Sequence, residues 1–367
     1  MIVLLSLLAC SDHCDEPGVI CSVMGTGDAG LALAGSPAAD EPLYWPSDVT
    51  IGPDGNPWLP DWNNHRLITL PEQDGVRTVR VVTGNVMVGD GPIGGSTPAS
   101  EALWNHPTGI AFAEDGTFVF AAWHNSRVVG VDPVADTTWL VAGTGARDFG
   151  GDGADATLAM FDLPASVAFG ADGSLFVTDQ ANQRVRRVAD GIVDTVVGNG
   201  EATFCGDGGD PLDACLWNER SQDAKPAGRI AFDADGRLLI ADTNSDRIRV
   251  VDFDAGTIET FAGTGAKDVG DEGGDALAVG FDHPRDVAVG PDGTVYVADT
   301  NHHCVRAIAD GVVTTAAGVC GELGYEGDGR PAANSLLNEP FGIDVGLDGA
   351  LWIVDTYNHR LRRVNPG

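Results

Sequence analysis

Histidine is the first side chain to weigh, because it can ligate a metal or move a proton near neutral pH. Eight occur in the chain. His106 and His283 each stand immediately before a proline, Pro107 and Pro284, and the matching positions elsewhere hold Trp45, Leu163, Lys225 and Glu339. If each proline opens an equivalent strand, then Trp45, His106, Lys225, His283 and Glu339 converge on one opening. Indole, imidazole, ammonium and carboxylate there could bind a small polar ligand. The plainer role is to cap strand starts and face water. His65, His302, His303 and His359 lie in other turns with no zinc-ligand spacing and are expected at the surface.

Aspartate interleaved with glycine offers hard oxygen ligands on a pliable backbone, which suits calcium. Asp152 with Asp155, Asp207 with Asp210, and Asp271 with Asp275 are the candidate pairs. None follows the spacing of an EF-hand loop, and the alternative is an Asx-type turn that ties each loop down. A second set of aspartates precedes an arginine by five residues: Asp61 and Arg66, Asp179 and Arg184, Asp242 and Arg247, Asp355 and Arg360. A carboxylate at a strand end can accept turn amides and pair with an arginine on the next strand. Recurrence at several places favours a structural role, since a catalytic site needs asymmetry.

Those residues must be positioned by something periodic. The stretch Pro284 to Gly318 alternates like four short strands, with turns at Pro291-Asp292-Gly293, Asp299 to His302 and Asp310-Gly311. Its opening proline recurs at Pro46, Pro107, Pro164, Pro226 and Pro340, and its closing glycine at Gly84, Gly143, Gly198 and Gly263. The sixth copy stops after three strands at Val364, while Val19 to Gly25 reads as an unattached fourth strand. One meander cannot bury both faces, and a ring removes the open edges.

The expectation is therefore an all-β, six-bladed β-propeller of four-stranded antiparallel blades, closed by the N-terminal strand completing the C-terminal blade. The blades span 46–84, 107–143, 164–198, 226–263, 284–318, and 340–365 with 19–25, inside one propeller over 19–367. The glycine-aspartate spacers and second-strand turns should share one elaborate face, opposite the minimal Asp-Gly hairpins, and binding belongs on the elaborate face. Two residues beyond each proline, the channel would be lined by Asp48, Gly109, Ser166, Gly228, Asp286 and Gly342, a mostly small ring.

Fifty-four acidic residues against 21 basic ones give a net charge of −33. That charge repels phosphate backbones, so nucleic acid is excluded as a partner and anionic membrane is disfavoured. Residues 1–18 read as a signal and leader, with Leu7-Leu8-Ala9-Cys10 like a lipobox whose cysteine would carry lipid. Membrane association would then come only through that anchor. Removing Cys10 leaves six cysteines, which pair by proximity as Cys205 with Cys215, Cys304 with Cys320 and, by elimination, Cys14 with Cys21. Disulfides imply an oxidising compartment, hence export to the cell envelope or beyond.

The run Leu351-Trp352-Ile353-Val354-Asp355-Thr356-Tyr357-Asn358-His359-Arg360-Leu361-Arg362 closely resembles the NHL repeat, and the resemblance extends over residues 19 to 367. The GDGG spacers are similar to those of bacterial extracellular NHL proteins and teneurin-like propellers. The resemblance implies a six-bladed propeller used mostly for binding, with a minority of metal-dependent enzymes. No nucleophile-base spacing stands out. The expected function is non-catalytic: a monomeric binding or scaffold propeller recognising a protein, peptide or glycan, with no cofactor beyond calcium. The alternative is a metal-dependent lyase or hydrolase at the channel mouth near His106, His283 and Glu339.

Overall fold

A computed structural model describes residues 14–95, 97–221 and 223–366; Cys10 and the apolar run before it lie outside the described residues. Six antiparallel sheets of four principal strands stand around one axis, a six-bladed β-propeller. Their inner strands are Thr50–Ile51, Pro107–Phe112, Pro164–Phe169, Ile230–Phe232, Pro284–Val289 and Pro340–Val345.

Burial follows position within the blade. Second strands such as Pro57–Asp61, Leu175–Asp179 and Leu351–Asp355 are buried at every residue, because a neighbouring blade covers each face. Outer strands such as Ile192–Val197 alternate buried and exposed, because they reach the rim. Among the described residues the core is six apolar layers, one between each adjacent pair of blades, with a seventh cluster around Trp62 and Trp123. Ile20, Ile343, Ile353 and Ala298 join blades five and six. Met24, Leu361, Leu59 and Ile68 join blades six and one. The circle is complete.

The N-terminal strand Val19–Met24 is the fourth strand of blade six, with Ile20 opposite Val364 and Ser22 opposite Arg362. Disulfides join Cys14 to Cys21, Cys205 to Cys215 and Cys304 to Cys320, with Cα–Cα distances of 5.8, 4.9 and 5.0 Å. The closing glycine of each repeat has a steric cause. At Gly198 φ is +93°, and a Cβ would lie 2.3 Å from the carbonyl oxygen of Gln183.

Part of each of three spacers leaves the elaborate face and runs along the rim of its blade. Ala154–Asp155, Gly274–Asp275 and Arg330–Pro331 each pair with an outer strand as a short fifth strand. An unpaired outer edge would leave backbone groups exposed, and the spacers cover it. Asp152 reaches Arg186 at 2.5 Å and Thr195 at 2.8 Å, and Asp207 reaches Arg249 at 2.5 Å and Thr260 at 2.6 Å. Asp155, Asp210 and Asp275 instead accept the backbone N–H two residues ahead, from Thr157, Leu212 and Leu277. Asp271 offers its backbone carbonyl to Gly274. Within the first two pairs, then, the aspartates turn to different partners.

Candidate ligand-binding site on the loop-rich face

Each second strand ends in one turn of 3-10 helix, closed by a left-handed residue: His65, Ser126, Gln183, Asp246, His303 or His359. Five of these side chains accept a hydrogen bond from the next blade, just before its inner strand. The donors are the backbone N–H groups of His106, Asn218, His283, Glu339 and Trp45 respectively. These residues are inter-blade ties. His65 is 8% exposed and His302 7%, so neither is the surface residue expected from sequence. His302 instead bonds Asp299 at 2.8 Å. Burial lowers the affinity of His65, His303 and His359 for protons, which keeps them neutral acceptors.

The second-strand aspartates are fully buried and accept the expected turn amides, for example Asp162 N–H on Asp179 and Asn338 N–H on Asp355. Their arginine partner differs from the expected one in three blades. Asp61 pairs with Arg66 at 2.9 Å, as the spacing suggested. Asp179, Asp242 and Asp355 pair instead with Arg186, Arg249 and Arg362, seven residues on, at 3.3, 3.5 and 3.4 Å. Arg184, Arg247 and Arg360 turn outward to loop carbonyls and lie over Phe149, Phe204 and Tyr325.

Blade four departs from the proline register. Asn218, not Lys225, holds the position equivalent to His283, because its N–H meets Gln183 as that of His283 meets Asp246. The segment from Glu219 to Gly228 is an insertion, and Lys225 rides on it across the channel mouth. Its ammonium lies 3.4 Å from Glu339 and over the rings of Tyr357 and Phe341, at 4.9 and 5.4 Å. Trp45 packs on Tyr357 at 5.2 Å and on Trp62 at 6.4 Å. Only about 10 Å³ remains among these groups, the lower limit for one water. The structure thus brings Trp45, Lys225 and Glu339 together as a lid.

His106 extends the same aromatic layer, 4.5 Å from Trp62, with its Nδ1 2.9 Å from Nδ1 of His124. Burial first, then the His65 and His124 rings, push its pKa down to about 3, so the imidazole is neutral. His283 lies apart from this layer. It joins Asp282 at 2.6 Å and Asp246 at 3.9 Å, with Lys267 2.8 Å from Asp282. Among the described residues, Asp246, Asp282 and His283 form the group close enough to hold one ion. Beside it a groove of about 470 Å³ runs over blade four, lined by Trp217, Glu219, Asn244, Arg247, Lys267 and His283.

Below the lid the channel holds a cavity of about 230 Å³ lined by the later residues of the inner strands, towards the Asp-Gly hairpins. The ring is not mostly small. The register slip in blade four puts Arg229 where Gly228 was expected, and Arg229 bridges Asp48 and Thr108 across the axis. Burial raises Asp48 to about 6 despite Arg229, and raises Asp286 further with help from Asp48. Asp344 accepts the amides of Ile51 and Val345 at 2.6 and 2.8 Å but pairs with no arginine among the described residues, and burial raises it to about 7. A carboxyl raised on folding favours the protonated native state, so its stabilisation is lost as pH rises from about 4 through 7. We expect urea midpoints to fall over that interval in the parent protein and Asp344→Asn to flatten the fall. An unchanged profile in the variant would refute the assignment.

One signal in the sequence could have located the insertion. An apolar residue stands three before the proline in five blades (Leu43, Trp104, Phe161, Phe281, Leu337), whereas in blade four the equivalent Leu216 precedes Pro226 by ten. All six are fully buried. The NHL-repeat family model matches residues 281–308. Human NHL repeat-containing protein 2 is 25% identical over 91% of this chain and 48% of its own length. Mouse teneurin-1 is 21% identical over 95% of this chain and 13% of its own length. The chain therefore spans about half or less of these curated relatives. Among solved structures, an auxiliary nutrient binding protein from Bacteroides thetaiotaomicron superposes with a TM-score of 0.64 at 16% identity, covering 94% of this chain and 75% of that one. Six repeated sheets and the matched segment in blade five make this chain similar to the NHL-repeat β-propellers.

Proposed function

We propose that the chain is an exported binding propeller that recognises a protein, peptide or glycan on its loop-rich face. The observation that carries this is the crowding of aromatic and charged side chains there, above a mouth closed by Lys225 and Glu339. An exposed indole at Trp217 and a half-exposed Tyr44 offer rigid contact area beside carboxylates and cations, the make-up of a recognition surface. The likeness to a nutrient-binding protein supports binding only as far as a shared fold can. Three disulfides support export, and Cys10 would supply the lipid anchor of a monomer.

The test is to screen the purified chain on peptide and glycan arrays and repeat the hits with surface variants. Tyr44→Ala and Trp217→Ala should weaken capture, and Leu347→Ser on the hairpin face should not. Capture lost only in the hairpin-face variant would overturn this assignment. A metal-dependent lyase or hydrolase is the second reading, favoured by the Asp246, Asp282 and His283 group. One tightly held ion per chain, lost in His283→Ala, would support it.

A further inference from the structure

The groove over blade four is an open polar recess on the loop-rich face, and its chemistry is specific. Its charged groups are already matched. Lys267 lies 2.8 Å from Asp282 and 3.7 Å from Asp246, and Glu219 lies 3.0 Å from Arg285. Arg247 donates to the carbonyls of Ser245 and Thr264 and stacks over Phe204. A charged ligand would gain little from such a balanced set, since it must displace one partner to pair with the other.

The same groups keep unused hydrogen-bonding capacity. A carboxylate offers about four lone-pair positions and an ammonium three donors, more than the internal pairs consume. Trp217 is 42% exposed at the rim, leaving an indole face open to an apolar surface. Backbone pairing is restricted here, because the N–H groups of Asn244, Asp246 and His283 are already taken by Trp217 O, Thr243 O and the Asp246 carboxylate, which leaves an extended peptide fewer amides to join.

A ligand that is neutral, rich in hydroxyls and apolar on one face fits these conditions. We infer that this groove is a saccharide site. Trp217 would stack on the C–H face of a neutral pyranose, while Asp246, Glu219 and Lys267 share its hydroxyls. At about 470 Å³ the recess has the size of a small-ligand pocket. This assignment rests on the loop-rich face being the binding face and names the ligand class there.

The experiment is calorimetric titration of the full chain with neutral hexasaccharides (cello-, laminari-, malto-, xylo- and mannohexaose), and with tetragalacturonate as the charged comparison, with and without EDTA. At least one neutral probe should bind and tetragalacturonate should not, with EDTA making no difference. Trp217→Ala should weaken that binding by about tenfold or more with an unchanged melting temperature. Leu347→Ser, across the molecule, should leave it intact. Saccharide binding that survives Trp217→Ala overturns the site, and binding abolished by EDTA overturns it in favour of a metal at Asp246, Asp282 and His283. If no neutral probe binds while array peptides are still captured through Tyr44, the saccharide inference falls and the binding face stands. If nothing binds through either residue, the binding face falls with it.

Discussion

Deletion of residues 1–25 should leave a protein that no longer unfolds cooperatively and that aggregates on concentration. The strand Val19–Met24 supplies the fourth strand of blade six and part of two inter-blade layers, through Ile20 and Met24, both fully buried. Truncating one such side chain costs about 2–5 kcal/mol, against a total stability of about 5–15 kcal/mol for a typical domain. The deletion removes both side chains together with the ladder to Arg360–Val364, the Cys14–Cys21 bridge, and the Ser22 partner of Asp328. The remaining edge is long and unpaired, a template for association between molecules. Calorimetry and size-exclusion chromatography of the deletion beside the parent check this. A single transition at the parent temperature would show that blade six does not depend on the N-terminal strand.

The second large effect separates two arginines two residues apart. Asp179→Ala should destabilise the protein by about 3–5 kcal/mol, because it leaves the fully buried Arg186 without a buried counter-charge. It also strips the acceptor from the Asp162 N–H and the Asn182 amide. Arg184→Ala should cost about 1 kcal/mol, since that guanidinium meets carbonyls and the Phe149 ring at a solvated edge. Chemical denaturation of both variants reads the difference directly. Comparable losses, or a larger one in Arg184→Ala, would contradict the pairing. Blade one provides an internal control. Residue 68 is isoleucine there, so Arg66 is the arginine that pairs with Asp61, and Arg66→Ala should behave like the loss of a buried pair.

The reason for the mistaken partner is geometric. Strand register places Arg184 directly opposite Asp179 and Arg186 opposite Val177. Both arginines point to one face of the strand, because they are two residues apart. Spacing alone favours the direct neighbour. The diagonal neighbour wins because its long side chain reaches both Asp179 and the spacer aspartate Asp152, and that second contact comes from a loop distant in sequence. The same holds for Arg249 with Asp207 and Arg362 with Asp328. The glycine-aspartate spacers are thus counter-charges for buried arginines as well as edge covers.

The candidate site was legible only in pieces. Trp45, Lys225 and Glu339 do meet, but as a lid over the channel, and His283 belongs to a separate acidic group. Trp217 and Lys267 drew no attention in the sequence because neither lies in the repeat's common pattern. They are neighbours only because the loop leaving blade four and the segment entering it fold over the same turn.

The ring, its six repeats and the clasp of its ends were all legible in the sequence alone, and the three cysteine pairs were suggested there by proximity and elimination. These follow from local alternation, turn chemistry and short-range spacing, which act within one blade or across matched halves of one. Tertiary structure alone decided which arginine each aspartate holds, that Arg229 rather than a glycine enters the channel, and that its mouth is shut. Those outcomes depend on contacts between blades and on a register slip, where one displaced residue exchanges a glycine for a guanidinium.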